Sequence, residues 1–235
     1  MASIRYLTDI HIDFGVIRLL ADECRRVGMT RPLIVTDAGV RAAGLLAKAE
    51  AALGDMPHGV FDGTQSNPTE AGVRAAAAVL KQQGCDGLVA IGGGSSIDLA
   101  KGVAIAASHA GPLKHYATIE GGSPRITEAV LPLIAVPTTA GTGSEVARGS
   151  ILIVDDGRKL GFHSWHLMPR VAILDPDLTL GLPPAWTRLR TAWKPSWRRP
   201  STRRPTALPW MAWPVDGLTS SVPHGTARTK RRAGT

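Results

Sequence analysis

Apolar and polar residues alternate along residues 1–185 in a pattern that predicts strands and helices in turn. Short apolar runs bounded by turn residues predict strands, whereas longer Ala- and Leu-rich stretches predict helices. The predicted strands are 31–37, 59–63, 86–93, 131–139, 150–156 and 170–176, and the predicted helices are 38–55, 68–84 and 95–108. Strands that alternate with helices at this spacing indicate an α/β fold with a mostly parallel sheet flanked by helices.

The second predicted helix has clear signals at both ends. Thr69 stands at the N-cap position, Glu70 places a negative charge in the first turn, and Gly84 follows the last helical residue. These residue types satisfy the unpaired backbone groups at helix ends, so they predict where the helix starts and stops.

The bulk composition sets the broad class of protein. The chain has 235 residues, of which 44% are hydrophobic, and no apolar run approaches the roughly 18 residues that a membrane span needs. The N-terminal segment lacks the apolar core of a signal peptide. Cys24 and Cys85 have neither a disulfide-framework nor a metal-type spacing, which predicts two small buried residues in a reducing cytoplasm, without membrane association.

The positive charge is concentrated at one end of the chain. The formal net charge is +8, but residues 186–235 hold eleven Arg or Lys and a single acid, Asp216. Five of the six tryptophans also lie within 186–213, among recurring prolines. Composition therefore predicts a domain at 1–185 and a basic Pro-, Arg- and Trp-rich tail at 186–235.

Three interpretations of this tail remain open. Trp, Arg and Pro are residues that GC-rich DNA tends to yield when it is translated out of frame, which favours a frame-shifted terminus. A natural disordered tail is the second interpretation. The third is nucleic-acid binding through charge and base stacking, which the sequence does not favour. The coding DNA beyond Pro184 would decide among them.

Three glycines, 92–94, stand at the end of the third predicted strand and precede a helix; we call them the glycine turn. A helix start exposes unpaired N–H groups and the positive end of the helix dipole, which attract a phosphate when no Cβ keeps it away. Ser95 is expected to cap this helix, and Asp98 stands at capping-box spacing from it. A plain tight turn remains the alternative, because the pattern is neither G-x-G-x-x-G nor a P-loop.

A second polar segment follows the strand predicted at 131–139. Thr138, Thr139 and Thr142 alternate there with glycines and a serine. In open α/β sheets, ligands bind at the carboxyl ends of the strands. Although a simple loop of turn-forming residues is the alternative, two such segments after two strands favour a nucleotide crevice in a Rossmann-like domain.

Four motifs occur in an order and spacing that resemble one known family. They are GTQSNPTE at 63–70, IGGGSSIDLAK at 91–101, PTTAGTGSEV at 137–146 and RVAILDPDLTLGLPP at 170–184. On these motifs, residues 1–185 resemble the N-terminal part of the iron-containing (group III) alcohol dehydrogenases. The resemblance implies an oxidoreductase with an α/β domain that binds NAD, followed by an all-helical domain that holds a divalent metal, Fe²⁺ or Zn²⁺.

The resemblance also implies a set of cofactor-contacting residues. These are Asp37, Asn67, Gly93, Gly94, Ser95, Thr138, Thr139, Thr142, Lys159, Leu178 and Leu182. A carboxylate at Asp37 would accept hydrogen bonds from ribose hydroxyls and repel a 2′-phosphate, so NAD is favoured over NADP. Each side chain also has a simpler interpretation: Asp37 as a helix cap, Asn67 as a turn former, Lys159 as a surface residue and the two leucines as core.

The family's metal ligands, one Asp and three His, are expected from the helical domain. The resemblance places the first two shortly after residue 184, at about Trp193 and Trp197, and neither side chain can ligate a divalent metal. His163 and His166 are not favoured as ligands, because the family uses their segment otherwise. The sequence therefore assigns no metal ligand and no catalytic residue, and it predicts that the helical domain is missing or is replaced by a disordered basic tail.

The leading hypothesis is an NAD-dependent, metal-dependent alcohol dehydrogenase that transfers hydride between a small alcohol or aldehyde and the nicotinamide. We expect a truncated form, because full-length relatives continue for well over a hundred residues more, and the sequence leaves its own activity open. A family-typical homo-oligomer is compatible with this hypothesis. The alternatives are a non-catalytic dinucleotide-binding module and nucleic-acid binding through the tail.

Overall fold

The computed structural model describes the backbone of residues 2–5 and both backbone and side chains of residues 7–180. The predicted domain boundary at 185/186 lies outside these residues and stays a prediction. The strands are β1 (Ala2–Arg5), β2 (Asp9–Ile12), β3 (Pro32–Val35), β4 (Gly59–Phe61), β5 (Gly87–Gly92), β6 (Leu133–Pro137), β7 (Gly149–Ile153), β8 (Lys159–His163) and β9 (Val171–Leu174). The α-helices are α1 (Leu20–Arg26), α2 (Ala38–Ala42), α3 (Leu45–Leu53), α4 (Glu70–Gln82) and α5 (Gly94–Ser108).

Seven strands form one twisted layer in the order β1-β2-β9-β6-β5-β3-β4. Only the β1–β2 pair is antiparallel, and every other neighbouring pair in this sheet is parallel. The predicted α/β fold with a mostly parallel sheet is therefore confirmed. The sequence did not predict β1 and β2, which extend the sheet beyond β9.

Alternate residues of the central strands face two separate cores. In β5, Leu88 and Ala90 pack with helices α4 and α5, whereas Val89 and Ile91 pack with α1, α2 and α3 on the other face. All six residues of β5 are buried. An unbroken apolar run is what a parallel strand needs when helices cover both of its faces.

Helix α4 begins and ends where its signals predict. The Thr69 hydroxyl accepts a hydrogen bond from the Gly72 N–H at 3.1 Å. At the other end Gly84 adopts φ 62°, a left-handed conformation that glycine reaches without steric cost. No helix in the part of the chain that the structure describes is long and apolar enough to cross a membrane.

The first predicted helix, 38–55, is divided in two. Helix α2 ends at Ala42 and α3 begins at Leu45, with Gly44 between them at φ 72°. A left-handed residue cannot continue a right-handed helix, so the chain changes direction there. The expectation of a single helical segment was wrong because the Ala- and Leu-rich composition concealed the break.

Strand β7 belongs to a different sheet from the one predicted. The sequence placed 150–156 among the strands of the parallel sheet, but β7 pairs antiparallel with β8 in a separate two-stranded sheet. Leu152, Leu160 and Phe162 of this hairpin are buried in the core that contains α5. The hairpin thus covers α5, and a run of apolar residues alone could not reveal its pairing partner.

Both cysteines are free and buried, as the sequence predicted. Burial raises the pKa of the Cys24 thiol to about 12 and also raises the pKa of Cys85. Thiols held in the protonated form are poor nucleophiles and poor metal ligands, so both side chains act as small apolar residues.

Candidate functional site

The sheet reverses its direction of growth between β3 and β5. From β3 the chain moves to β4 on one side, and then to β5 and β6 on the other side. At such a switch point the loops after two adjacent strands separate and leave a crevice at the carboxyl ends. Asp37 follows β3 and the glycine turn follows β5, so both border this crevice.

The glycine turn leads directly into α5. The helix begins at Gly94, and its N-cap residue is Gly93, with no capping side chain. Gly92 has φ 149°, and a Cβ at this position would collide with the Ser96 side chain. The expected capping by Ser95 was wrong, because Ser95 already lies inside the helix and its hydroxyl donates to the Ser66 carbonyl at 2.8 Å.

Asp98 does not complete a capping box. Its carboxylate accepts a hydrogen bond from the Ile151 N–H at 3.2 Å, and its backbone carbonyl accepts one from the Ser150 hydroxyl at 2.9 Å. Both partners belong to β7. The first turn of α5 therefore has no side-chain cap. The three-residue spacing of Ser95 and Asp98 was not sufficient to predict a capping box.

The structure confirms one of the two interpretations of Asp37, the helix cap, whereas its contact with a ribose stays a prediction. Its Oδ1 accepts a hydrogen bond from the Val40 N–H at 3.0 Å and so caps α2. Its Oδ2 lies 3.4 Å from the Ser96 hydroxyl, on the neighbouring helix α5. The carboxylate thus spans the gap between β3 and β5, and capping does not remove it from the crevice.

Residues 138–148, which we call the threonine loop, form the opposite wall. The Thr138 N–H donates to the Gly92 carbonyl at 2.9 Å, which joins the loop to the glycine turn. A Cβ on Gly93 would lie 3.4 Å from the Thr139 hydroxyl oxygen, and one on Gly94 would lie 3.3 Å from both Thr142 Cβ and Ser144 Oγ. Any side chain on the turn would therefore fill the space between the two walls.

The Thr138 side chain is 1% exposed. Within residues 7–180 its hydroxyl oxygen has no hydrogen-bond partner. A buried hydroxyl without a partner is costly, but Thr8, Thr36 and Thr64 share this feature, so it does not by itself identify a ligand site. The contact of Thr138 with a cofactor stays a prediction.

Asn67 and Lys159 meet at the outer edge of the site. Lys159 Nζ donates to Asn67 Oδ1 at 3.1 Å, and both side chains are exposed. The segment before Asn67 reaches α5 through the Ser66 carbonyl. Two residues that lie 92 positions apart in sequence are thus brought together, and their contact with a cofactor stays a prediction.

Leu178 lies in the core rather than at an open surface. It is 1% exposed and belongs to the cluster of buried residues that includes Val16 and Leu20. Its simpler interpretation as a packing residue is thus supported, and its contact with a cofactor stays a prediction. Leu182 lies outside the described residues.

The described residues do not form a metal centre. Among residues 7–180, no group of three or more His, Cys, Asp or Glu side chains could hold a metal ion. His163 Nδ1 lies 2.9 Å from the Thr118 hydroxyl, and His166 is exposed. The family's metal therefore does not fit this part of the chain.

The sequence reasoning missed Lys101 as part of this site. This lysine is fully buried in α5, and its ammonium group donates to three backbone carbonyls. Burial lowers the pKa of Lys101 to about 8 and raises the pKa of Asp98. The available signal was two charged residues at i, i+3 in a helix that is otherwise small and apolar.

The sequence profile of the family described as "Iron-containing alcohol dehydrogenase" matches residues 8–176. The chain belongs to the iron-containing alcohol dehydrogenase family. One relative, a 4-hydroxybutyrate dehydrogenase of Cupriavidus necator, is 66% identical over 187 residues, which cover 80% of this chain and 49% of that protein. The four motifs that first indicated the family are thus supported by the match over most of the α/β domain.

Solved structures show the same fold. A 1,3-propanediol oxidoreductase superimposes with a TM-score of 0.70 at 37% identity, covering 74% of this chain and 45% of that one. A sulfoacetaldehyde reductase from Bifidobacterium kashiwanohense, solved in complex with NAD⁺, superimposes with a TM-score of 0.69 at 30% identity, covering 78% and 48%. The chain spans about half the length of the relatives that it matches.

Proposed function

We propose that this chain is the nucleotide-binding half of an NAD-dependent dehydrogenase that acts on a small primary alcohol or the corresponding aldehyde. The main support for this proposal is the glycine turn at the start of α5, which faces the threonine loop across a gap. A Cβ on Gly93 or Gly94 would narrow this gap. The two thiols buried in reduced form support the cytoplasm as its location.

The geometry of the crevice suits a diphosphate. The first N–H groups of a helix have no partner within it and carry the positive end of the helix dipole. Since Gly93 and Gly94 have no side chains, phosphate oxygens can approach these groups closely. The Thr142 and Ser144 side chains border the same space above Gly94.

Asp37 supports NAD rather than NADP as the cofactor. A carboxylate at the end of β3 can accept hydrogen bonds from the hydroxyls of the adenosine ribose, whereas it would repel a 2′-phosphate. The complex of the sulfoacetaldehyde reductase with NAD⁺ supports the same choice.

The substrate class is inferred from the relatives. The identity of 66% to a 4-hydroxybutyrate dehydrogenase supports a primary alcohol that also carries a carboxylate. In such a dehydrogenase the alcohol carbon would exchange a hydride with the nicotinamide. The residues of this crevice bind the nucleotide and orient its nicotinamide end.

Calorimetric titration of the 235-residue chain with NAD⁺, NADP⁺ and ADP-ribose tests the proposal. We expect NAD⁺ and ADP-ribose to bind, and NADP⁺ to bind more weakly. Gly94→Ala should raise the Kd for ADP-ribose about tenfold, which corresponds to about 1.4 kcal/mol.

Gly72→Ala is the matched control for this variant. A Cβ on Gly72, in the first turn of α4, would lie 3.3 Å from Leu99 Cδ1, a contact as close as the one expected at Gly94. This variant should leave the Kd unchanged. A folded chain that binds neither NAD⁺ nor ADP-ribose would refute the proposed function, and an equal effect of both alanines would refute the role of the turn.

A further inference from the structure

Lys101 makes an unusual set of contacts for a lysine in the middle of a helix. Its side chain is fully buried, and its Nζ donates to the carbonyl oxygens of Ser144 at 2.8 Å, Ala147 at 2.7 Å and Gly149 at 2.8 Å. An ammonium group has three N–H donors, and all three are used here. Hydrogen bonds from a charged donor are stronger than those between neutral groups.

The acceptors belong to a segment that has little structure of its own. The threonine loop contains no helix or strand, and it includes Gly141 and Gly143 at positive φ. Its own backbone hydrogen bonds at this end are Val146 N–H to the Gly143 carbonyl at 3.2 Å and Ala147 N–H to the Ser144 carbonyl at 3.4 Å. The segment therefore depends on contacts from outside for its position.

Asp98 strengthens the same connection one turn earlier in α5. It accepts from Ile151 N–H, while its backbone carbonyl accepts from the Ser150 hydroxyl. The carboxyl side of the threonine loop and the start of β7 are thus held on one face of α5. This is the same helix whose first turn forms the opposite wall of the crevice.

We propose that Lys101 is a positioning residue that holds the threonine loop at a fixed distance from the glycine turn, and so sets the affinity for the nucleotide without touching it. This inference rests on the proposed function, because it assigns the crevice to a diphosphate. Its physical basis is that Thr142 and Ser144 border the space above Gly94, and that the carbonyl of the same Ser144 accepts a hydrogen bond from the Lys101 ammonium group.

The test compares Lys101→Met with two controls in the full chain. The methionine keeps the aliphatic length and removes the three donors. Lys81→Met removes an exposed lysine from α4, and Leu53→Ala lowers stability through the core on the other face of the sheet. The measurements are the Kd for ADP-ribose by calorimetry and amide hydrogen exchange, read peptide by peptide.

Lys101→Met should raise the Kd about tenfold and speed exchange at 140–149 by at least about tenfold. Lys81→Met should change neither quantity, and Leu53→Ala should speed exchange elsewhere without changing the Kd. Lys101→Arg keeps charged donors, and it should restore part of the protection at 140–149.

The outcomes separate the two proposals. If the wild-type chain does not bind ADP-ribose, the proposed function fails. Faster exchange confined to 140–149 in Lys101→Met would then still support the role of Lys101 in holding the loop. If the wild-type chain binds and Lys101→Met matches it in both Kd and exchange, the positioning role is overturned. An equal loss of affinity in Leu53→Ala would also overturn it, because general instability would then explain the effect.

Discussion

The two walls of the crevice are held in place by different means. The glycine turn is fixed by its neighbours in sequence: Ser96 N–H and Ile97 N–H both donate to the Gly93 carbonyl, at 3.1 and 3.3 Å. The threonine loop is fixed by Lys101, whose acceptors lie 43 to 48 residues away in the chain. The glycine turn therefore has local contacts besides its link to Thr138, whereas the lysine that holds the threonine loop is distant in sequence.

This difference shows what each wall requires of the sequence. The glycine turn needs residues without side chains at particular positions, so a substitution within it acts directly. The hydroxyls of the threonine loop stay in position because the buried ammonium group of Lys101 holds the backbone of the loop. Substitutions that separate these two requirements should therefore differ in their effects on stability and on nucleotide binding.

The largest effect is the pH dependence of the contribution of Lys101 to stability. Burial lowers the pKa of Lys101 from 10.5 to about 8, so between these values the unfolded chain binds more protons than the folded one. The free energy of unfolding should therefore rise with pH in this window, relative to Lys101→Met, by up to roughly 3 kcal/mol. At about pH 7 the rise should have levelled off.

Denaturant titrations of both proteins at pH 7, 9 and 10 measure this difference. Cys24 acts in the opposite direction, because its pKa of about 12 in the folded chain makes stability fall above the ordinary thiol pKa of 9. That contribution is present in both proteins and cancels in the comparison. A flat difference from pH 7 to 10 would show that the Lys101 charge is not penalised by burial.

The second effect concerns Gly92, the most constrained residue of the local wall. Gly92→Ala places a Cβ against Ser96 at φ 149°, so we expect a loss of about 2 kcal/mol in the free energy of unfolding. Gly94→Ala, whose backbone is not in the left-handed region, should lose much less stability while weakening nucleotide binding. Urea unfolding separates the two, and equal losses would contradict the assignment of strain to Gly92.

The third effect concerns cofactor choice. Asp37→Asn keeps a side-chain oxygen that can cap α2 and removes the negative charge. The ratio of the Kd for NADP⁺ to that for NAD⁺ should fall about tenfold, by about 1.4 kcal/mol, with little change in stability. Asp37→Ala should also lose about 1 kcal/mol of stability through the missing cap. An unchanged ratio in the asparagine variant would leave Asp37 as a cap alone.

The smallest effect is expected at the exposed pair of Asn67 and Lys159. Either alanine variant should change the free energy of unfolding by less than about 0.5 kcal/mol, because exposed polar contacts contribute little to stability. Each should nevertheless raise the Kd for ADP-ribose about threefold, or about 0.7 kcal/mol. Calorimetry of the two single variants and the double variant would detect whether both act on the same ligand.

The features that the sequence predicted well are those that neighbouring residues determine. The Thr69 cap, the stop at Gly84 and the turn between β5 and α5 all depend on residue types within a few positions of each other. The order of the four motifs also predicted the family, because motif spacing along a chain is visible without a structure.

The features that the sequence missed depend on distant partners or on competing local choices. The break at Gly44 was hidden in an Ala- and Leu-rich stretch, and the pairing of β7 with β8 depends on strand partners that an apolar run does not specify. Ser95 was assigned as a cap, yet its hydroxyl bonds to Ser66, 29 residues earlier. The role of Lys101 could not be inferred because its acceptors are backbone atoms, which leave no pattern of side chains.

The distance between Lys101 and its acceptors also has a consequence for the kinetics of folding. The backbone hydrogen bonds of α5 join residues close in sequence, whereas the segment that its lysine holds must be brought back across more than forty residues. During refolding we therefore expect the first turn of α5 to form before the threonine loop docks on it. A nucleotide added early in refolding would therefore find only one wall of the crevice formed. Its full affinity should develop only when the threonine loop docks, which is the slower step.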